Sequence, residues 1–148
     1  MPAVGRVLPE PPQLTAGICV LIVDDQPDVR LAFAFMLDAL GCKVAEGADG
    51  REALQHLAKN RVDVVLTDLY MPRMDGVALI EAIRKRPLPH PKIIAMSGSE
   101  NLAYRASLQA AAMVGADALL TKPIARAKLL NTIRDLTGGA VDQLLHGH

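Results

Sequence analysis

The sequence predicts an α/β fold, a five-stranded parallel sheet with helices on both faces. Three observations point there. Short apolar runs rich in β-branched residues alternate five times with segments of helical period between residues 17 and 137. The clearest of these runs are apolar throughout, the mark of strands buried on both faces. Polar residues able to do chemistry stand just beyond the runs.

The elements follow in chain order. Residues 1–16 hold four of the ten prolines and read as a flexible or extended leader, because each proline fixes φ and removes a donor. Residues 18–23 (ICVLIV) are too short for a helix and read as the first strand. Val29, Ala32, Phe33, Met36, Leu37 and Leu40 then recur at helical spacing on one face. Gly41 follows where a helix wants a left-handed residue at its C-terminal end. Residues 44–45 form a weaker strand, placed mainly by position. Residues 51–59 continue as a helix that Asp49 is positioned to cap, and residues 62–66 are the third strand. Asp75 caps a helix over 77–86 in the same way. Strands at 93–96 and 116–120 enclose a helix over 102–114, and a helix over 125–136 closes the pattern. Strands and helices in this order imply right-handed crossovers. A domain over 17–137 results, followed by a short tail over 138–148 that opens with Gly-Gly and is expected to fray.

Composition narrows the function. The 148 residues suit one domain with a core of its own. Sixteen basic and sixteen acidic residues cancel, which argues against a nucleic-acid polyanion as the partner of this chain. No apolar run approaches the roughly 20 residues that span a bilayer, and the proline-studded N-terminus is no secretory signal. Cys19 and Cys42 are too few for a disulfide scaffold; reduced, buried thiols in a cytoplasmic protein are the expectation.

In an open parallel sheet the ligand crevice lies beyond the carboxyl ends of the strands. There the sequence places Asp24-Asp25 after the first strand, Thr67-Asp68 after the third, Ser97-Gly98-Ser99 after the fourth and Thr121-Lys122-Pro123 after the fifth. Clustered carboxylates repel one another and resist ionising. A hard divalent cation such as Mg²⁺, which takes oxygen ligands, relieves this. Carboxylates, one lysine and one hydroxyl around such a cation suit phosphoryl transfer, with a carboxylate as the group that holds the phosphoryl.

These residues carry a specific resemblance. Asp24-Asp25, the string from Asp68 through Met71-Pro72 to Met74-Asp75-Gly76, Ser97, and Lys122-Pro123 together resemble the receiver domain of two-component response regulators, in particular single-domain chemotaxis-type regulators. The resemblance covers about residues 17–137. It implies a doubly wound, flavodoxin-like sheet of order 2-1-3-4-5. It also implies that Asp68 accepts a phosphoryl group from a phosphohistidine on a sensor histidine kinase or a histidine phosphotransfer protein. Mg²⁺ would be held by Asp25 and Asp68, by Asp24 through water, and by the Tyr70 backbone carbonyl. Lys122 would pair with Asp68 and then with a phosphoryl oxygen, Ser97 would donate its hydroxyl, and the Lys122-Pro123 bond would be cis. The output would be phosphorylation-dependent contact with a downstream protein, without turnover of an independent substrate.

The chain departs from this pattern at Leu119, where the family usually carries an aromatic residue. The hydroxyl half of the switch is kept and the aromatic half is not. The stretch between Ser97 and Lys122 is also slightly long, with Tyr104 as an aromatic that could move in its place. Arg84-Lys85-Arg86 is expected to be a solvated last helical turn. His56 and His90 match no part of the site, and His146 and His148 are expected to lie in a disordered terminus. Two further readings compete. An aspartyl phosphatase would place its nucleophile on the first strand with a second Asp two residues on, whereas Asp24 and Asp25 are adjacent and Tyr70 stands two after Asp68. The receiver part of a transcription factor would need a DNA-binding domain outside this chain.

Overall fold

The structure is a computed structural model that describes residues 17–71, 74–98 and 102–145, and side chains over 17–71, 74–98 and 105–138. The proline-rich leader, Pro72, Ser99, the Tyr104 side chain, His146 and His148 lie outside the described residues.

Among the described residues ten elements alternate: β1 (Cys19–Val23), α1 (Pro27–Ala39), β2 (Lys43–Gly47), α2 (Gly50–Lys59), β3 (Val64–Asp68), α3 (Gly76–Arg84), β4 (Lys92–Ser97), α4 (Leu102–Met113), β5 (Ala118–Thr121) and α5 (Arg126–Leu145). The strands form one sheet in the order β2-β1-β3-β4-β5, with every neighbouring pair parallel. This is the predicted fold class and strand order.

Alternation along each strand divides the core in two. Val20 and Ile22 of β1, Val64 and Leu66 of β3, and Ile94 and Met96 of β4 meet Phe33 and Leu37 of α1 and Leu129 and Ile133 of α5. Leu21, Val23, Val65, Ile93 and Ala95 turn to the other face, against α2, α3 and α4. Continuous apolar runs are required because both faces of the central strands are covered. Most of these side chains are fully buried, so removing one leaves a cavity costing about 2–5 kcal/mol.

The helix ends follow the expected chemistry. Asp49 accepts the Glu52 N–H at 2.9 Å, and the Glu52 carboxylate accepts the Ala48 N–H at 3.0 Å. Asp75 accepts the Ala78 N–H at 2.8 Å. Gly41 has φ of 87°, the left-handed conformation that ends α1. On α1, Phe33, Leu37 and Leu40 are buried as expected, whereas Ala32 is exposed beside them.

Two expectations change. The basic run 84–86 is not a solvated turn. Arg84 donates to the carbonyls of Gly115 and Pro91 and to the Asp117 carboxylate, and Arg86 donates to the Leu54 and Leu57 carbonyls. Only Lys85, paired with Glu81 one turn back, faces solvent. These carbonyls close α2 and the turn after α4, and a guanidinium fork serves them better than water does. The second change is in the tail, where α5 stays helical to Leu145 through both glycines. As expected, the two thiols form no disulfide: Cys42 packs on the α1 and α5 face, while Cys19 alternates with Val20 onto the opposite face.

Candidate functional site

Four strand ends build one rim. Asp24 directly follows β1, Asp68 is the last residue of β3, Ser97 the last of β4, and Lys122 directly follows β5. Register brings them level: Asp68 is opposite Met96, and Ser97 is opposite Thr121. The Lys122 N–H donates to the Ser97 carbonyl at 2.7 Å and so fixes the lysine to the end of β4. The Lys122-Pro123 bond is cis, as the resemblance implies.

Asp24 is fully buried and engaged at every polar atom. Its N–H donates to the Gly47 carbonyl at 3.2 Å, one carboxylate oxygen accepts the Gln26 N–H at 2.9 Å, and the other accepts Lys122 Nζ at 2.9 Å. Its carbonyl accepts the Arg30 guanidinium at 2.6 Å. Asp25, next along, is exposed. The pairing of Lys122 therefore differs in emphasis from the expectation: it also faces Asp68, but at 3.7 Å, farther than Asp24.

Asp68 lies at the bottom of this rim and is 8% exposed. Burial pushes its carboxyl above the usual carboxylate range, and the Asp24 charge adds to that. The Lys122 ammonium and backbone hydrogen bonds from Tyr70 and Leu69 pull the other way without cancelling it. The Asp68 carbonyl accepts the buried Thr67 hydroxyl at 2.9 Å. The loop that follows passes so close to α3 that a Cβ on Gly76 would strike that same carbonyl oxygen and come within 2.8 Å of Leu69 Cα. Gly76 has to be glycine for this loop to close. Tyr70 continues the loop with a half-exposed side chain, and Ser97 is wholly buried.

The donor set fits a hard cation. One carboxylate oxygen from each of Asp24, Asp25 and Asp68 lies within 4.8 Å of the others. Two oxygens bound to one Mg²⁺ at about 2.1 Å are at most about 4.2 Å apart, so small side-chain rotations suffice. All three acids, Ser97 and Lys122 are expected on one rim from sequence, and the structure brings them together there. Arg30 is not legible in the same way, its only sequence signal being a cation in the first turn of the helix after the acidic pair. Leu119 is opposite Ala95 and is 40% exposed on the edge strand.

No helix among the described residues is long and apolar enough to cross a membrane. The chain is 29% identical to protein PilG of Pseudomonas aeruginosa over 123 residues, covering 82% of this chain and 89% of that protein. It is 38% identical to the sensor histidine kinase RcsC of Escherichia coli over 105 residues, which cover 71% of this chain but only 11% of the kinase. Among solved structures, the chemotaxis response regulator CheY4 of Vibrio cholerae matches with a TM-score of 0.71 and 30% identity, over 82% of this chain and 99% of that one. The response regulator receiver domain model matches residues 20–134, the same span that carries the sheet, the acidic rim and Lys122, and the chain belongs to that family.

Proposed function

We propose that this receiver domain is phosphorylated on Asp68 by a phosphohistidine of a sensor histidine kinase or a histidine phosphotransfer protein, and that it signals through protein contacts that depend on the phosphoryl group. The observation that carries this reading is the convergence of the Asp24, Asp25 and Asp68 oxygens within 4.8 Å, with Lys122 on the same rim.

The Asp68 carboxylate attacks phosphorus as the phosphorus–nitrogen bond to the imidazole breaks, and the bonding electrons stay on the ring nitrogen. Its raised proton affinity makes it a stronger nucleophile than an ordinary aspartate, provided it is ionised. Asp25 and Asp68, the Tyr70 carbonyl, and Asp24 through water would hold Mg²⁺, which supplies charge neutralisation between the carboxylates and the incoming phosphoryl oxygens. Lys122 turns from Asp24 and Asp68 toward a phosphoryl oxygen, and the Ser97 hydroxyl donates to another. The phosphoryl transfer is stoichiometric, so the protein acts as a switch and not as an enzyme with a separate substrate. Its proposed place is the cytoplasm, where the thiols of Cys19 and Cys42, which form no disulfide, stay reduced. Its output partner is a protein, because the balanced charge and acidic rim offer nothing to a nucleic-acid backbone.

Incubation with Mg²⁺ and a small acyl phosphate, followed by intact mass, tests this. The expected result is a gain of one phosphoryl group that is absent in Asp68→Asn. No gain, or a gain that persists in the variant, defeats the reading.

A further inference from the structure

We propose that Arg30 is a positioning residue for the acidic pocket, holding the peptide between Asp24 and Asp25 so that the Asp25 carboxylate faces Asp68. The inference rests on the reading of Asp24, Asp25 and Asp68 as a Mg²⁺ site.

Arg30 stands in the first turns of α1, where Val29 and Arg30 both donate their N–H groups to the Gln26 carbonyl. The start of a helix is the positive end of its dipole, so a cation is locally disfavoured there. Something else holds it. Its side chain is only 17% exposed, with one arm of the guanidinium on the Asp24 carbonyl at 2.6 Å and Nε on Glu46 at 3.2 Å. Glu46 belongs to β2 and stands opposite Ile22 of β1. Arg30 thus joins α1, β2 and the loop after β1 at one carbonyl.

That carbonyl belongs to the peptide plane whose N–H is Asp25's own, so its orientation sets the direction in which the Asp25 side chain leaves the loop. The preceding N–H, on Asp24, is tied to Gly47, and the Asp24 side chain is tied to Gln26 and Lys122. Arg30 supplies the remaining constraint, and a charge-assisted hydrogen bond is roughly twice as strong as a neutral one. Glu46 offsets the guanidinium charge, so Arg30 can fix the peptide without competing with a cation for the carboxylates. Asp25 is exposed and has no comparable hydrogen-bond or ion-pair partner among the described residues, so the backbone beneath it is what orients it.

The test is Mg²⁺ binding by the full chain, read by isothermal titration calorimetry on wild type, Arg30→Ala, Arg30→Lys and Glu46→Gln, with thermal melting of each Mg²⁺-free form. Groups that orient metal ligands from behind change affinity by about 10–100-fold when removed, so Arg30→Ala is expected to weaken Mg²⁺ about tenfold. Its labelling by a small acyl phosphate should fall at low Mg²⁺ and recover when Mg²⁺ is raised. Arg30→Lys, which keeps the charge but loses the fork, should weaken binding by a smaller factor, and Glu46→Gln likewise. If Arg30→Ala does not fold, the lysine and glutamine variants decide. A lowered melting temperature with wild-type Mg²⁺ affinity in the folded variants reduces Arg30 to a tie between α1 and β2 and overturns the proposal. Failure of the wild type to bind Mg²⁺ overturns the reading of the pocket itself, a separate outcome.

Discussion

The Lys122 ammonium stands 2.9 Å from the Asp24 carboxylate across 98 positions of sequence. Asp24 is almost completely buried and Lys122 is partly exposed, so the pair sits at the edge of the low-dielectric interior. Lys122→Met keeps the aliphatic stem and removes the charge, leaving the buried Asp24 carboxylate with the Gln26 N–H donating to it. The expected loss is about 1–3 kcal/mol, below the figure for a fully buried pair because water reaches the lysine. Mg²⁺ should then raise the melting temperature more in the variant than in wild type, since the cation takes over charge that Lys122 had offset. Equal melting curves with and without Mg²⁺ in both proteins would contradict this account.

The burial of Asp68 gives stability a pH dependence of known sign. Its folded-state proton affinity lies above the ordinary value of 3.8, so the folded chain holds the proton more tightly than the unfolded one. The resulting stability is fully present below the unfolded value and is lost as pH rises through the folded one. Asp68→Asn has no proton to lose. It should match or fall below wild type under acid conditions and gain on it as pH rises above 3.8 toward neutrality. Urea unfolding of both proteins across that window, without Mg²⁺, checks it; a stability difference that does not change with pH would remove the desolvation argument. Labelling by an acyl phosphate should rise with pH over the same window, because only the ionised carboxylate is a nucleophile.

Much of this was legible from local pattern. The apolar runs at β1, β3 and β4 are buried on both faces and so read clearly, whereas β2 (KVAEG) is an edge strand with half-exposed side chains and reads weakly. The site residues were visible because strand ends in a parallel sheet converge by topology, which needs no knowledge of distances. What lay beyond reach depends on long-range packing. No spacing rule reveals that Arg84 turns in toward Gly115 and Asp117, or that Lys122 sits nearer Asp24 than Asp68. The solvated-turn expectation for residues 84–86 failed because charge at a helix end satisfies the dipole and a buried carbonyl equally well in sequence.

Gly76 couples loop closure to the site. Gly76→Ala would drive a Cβ into the Asp68 carbonyl and to 2.9 Å from Leu69 Cδ2. The obstruction includes backbone, so the loop after Asp68 has to move, and the Thr67 hydroxyl bond to that carbonyl moves with it. Overpacking of this kind costs about 1–3 kcal/mol. The expected readout is a lower melting temperature together with slower phosphoryl labelling at saturating Mg²⁺. A variant that melts lower yet labels at the wild-type rate would separate the loop from the chemistry.

Arg84 offers the converse case, stability without effect on the site. Its guanidinium ties the end of α3 to Pro91 before β4 and to Gly115 and Asp117 before β5, at 2.6 Å to both the Gly115 carbonyl and the Asp117 carboxylate. Asp117 also accepts the Ile93 N–H at 2.8 Å, so the arginine anchors a residue that holds the start of β4. Arg84→Ala removes three acceptors' partner at once. With the guanidinium partly exposed, the expected loss is about 2 kcal/mol. All of these contacts lie at the amino ends of the strands, opposite the carboxylate rim. Mg²⁺ affinity and Asp68 labelling should therefore stay within about twofold of wild type, since distant sites that share no partners behave independently. Calorimetric Mg²⁺ titration beside chemical unfolding measures both quantities on one sample, and a large fall in Mg²⁺ affinity would show that the two ends of the sheet are coupled.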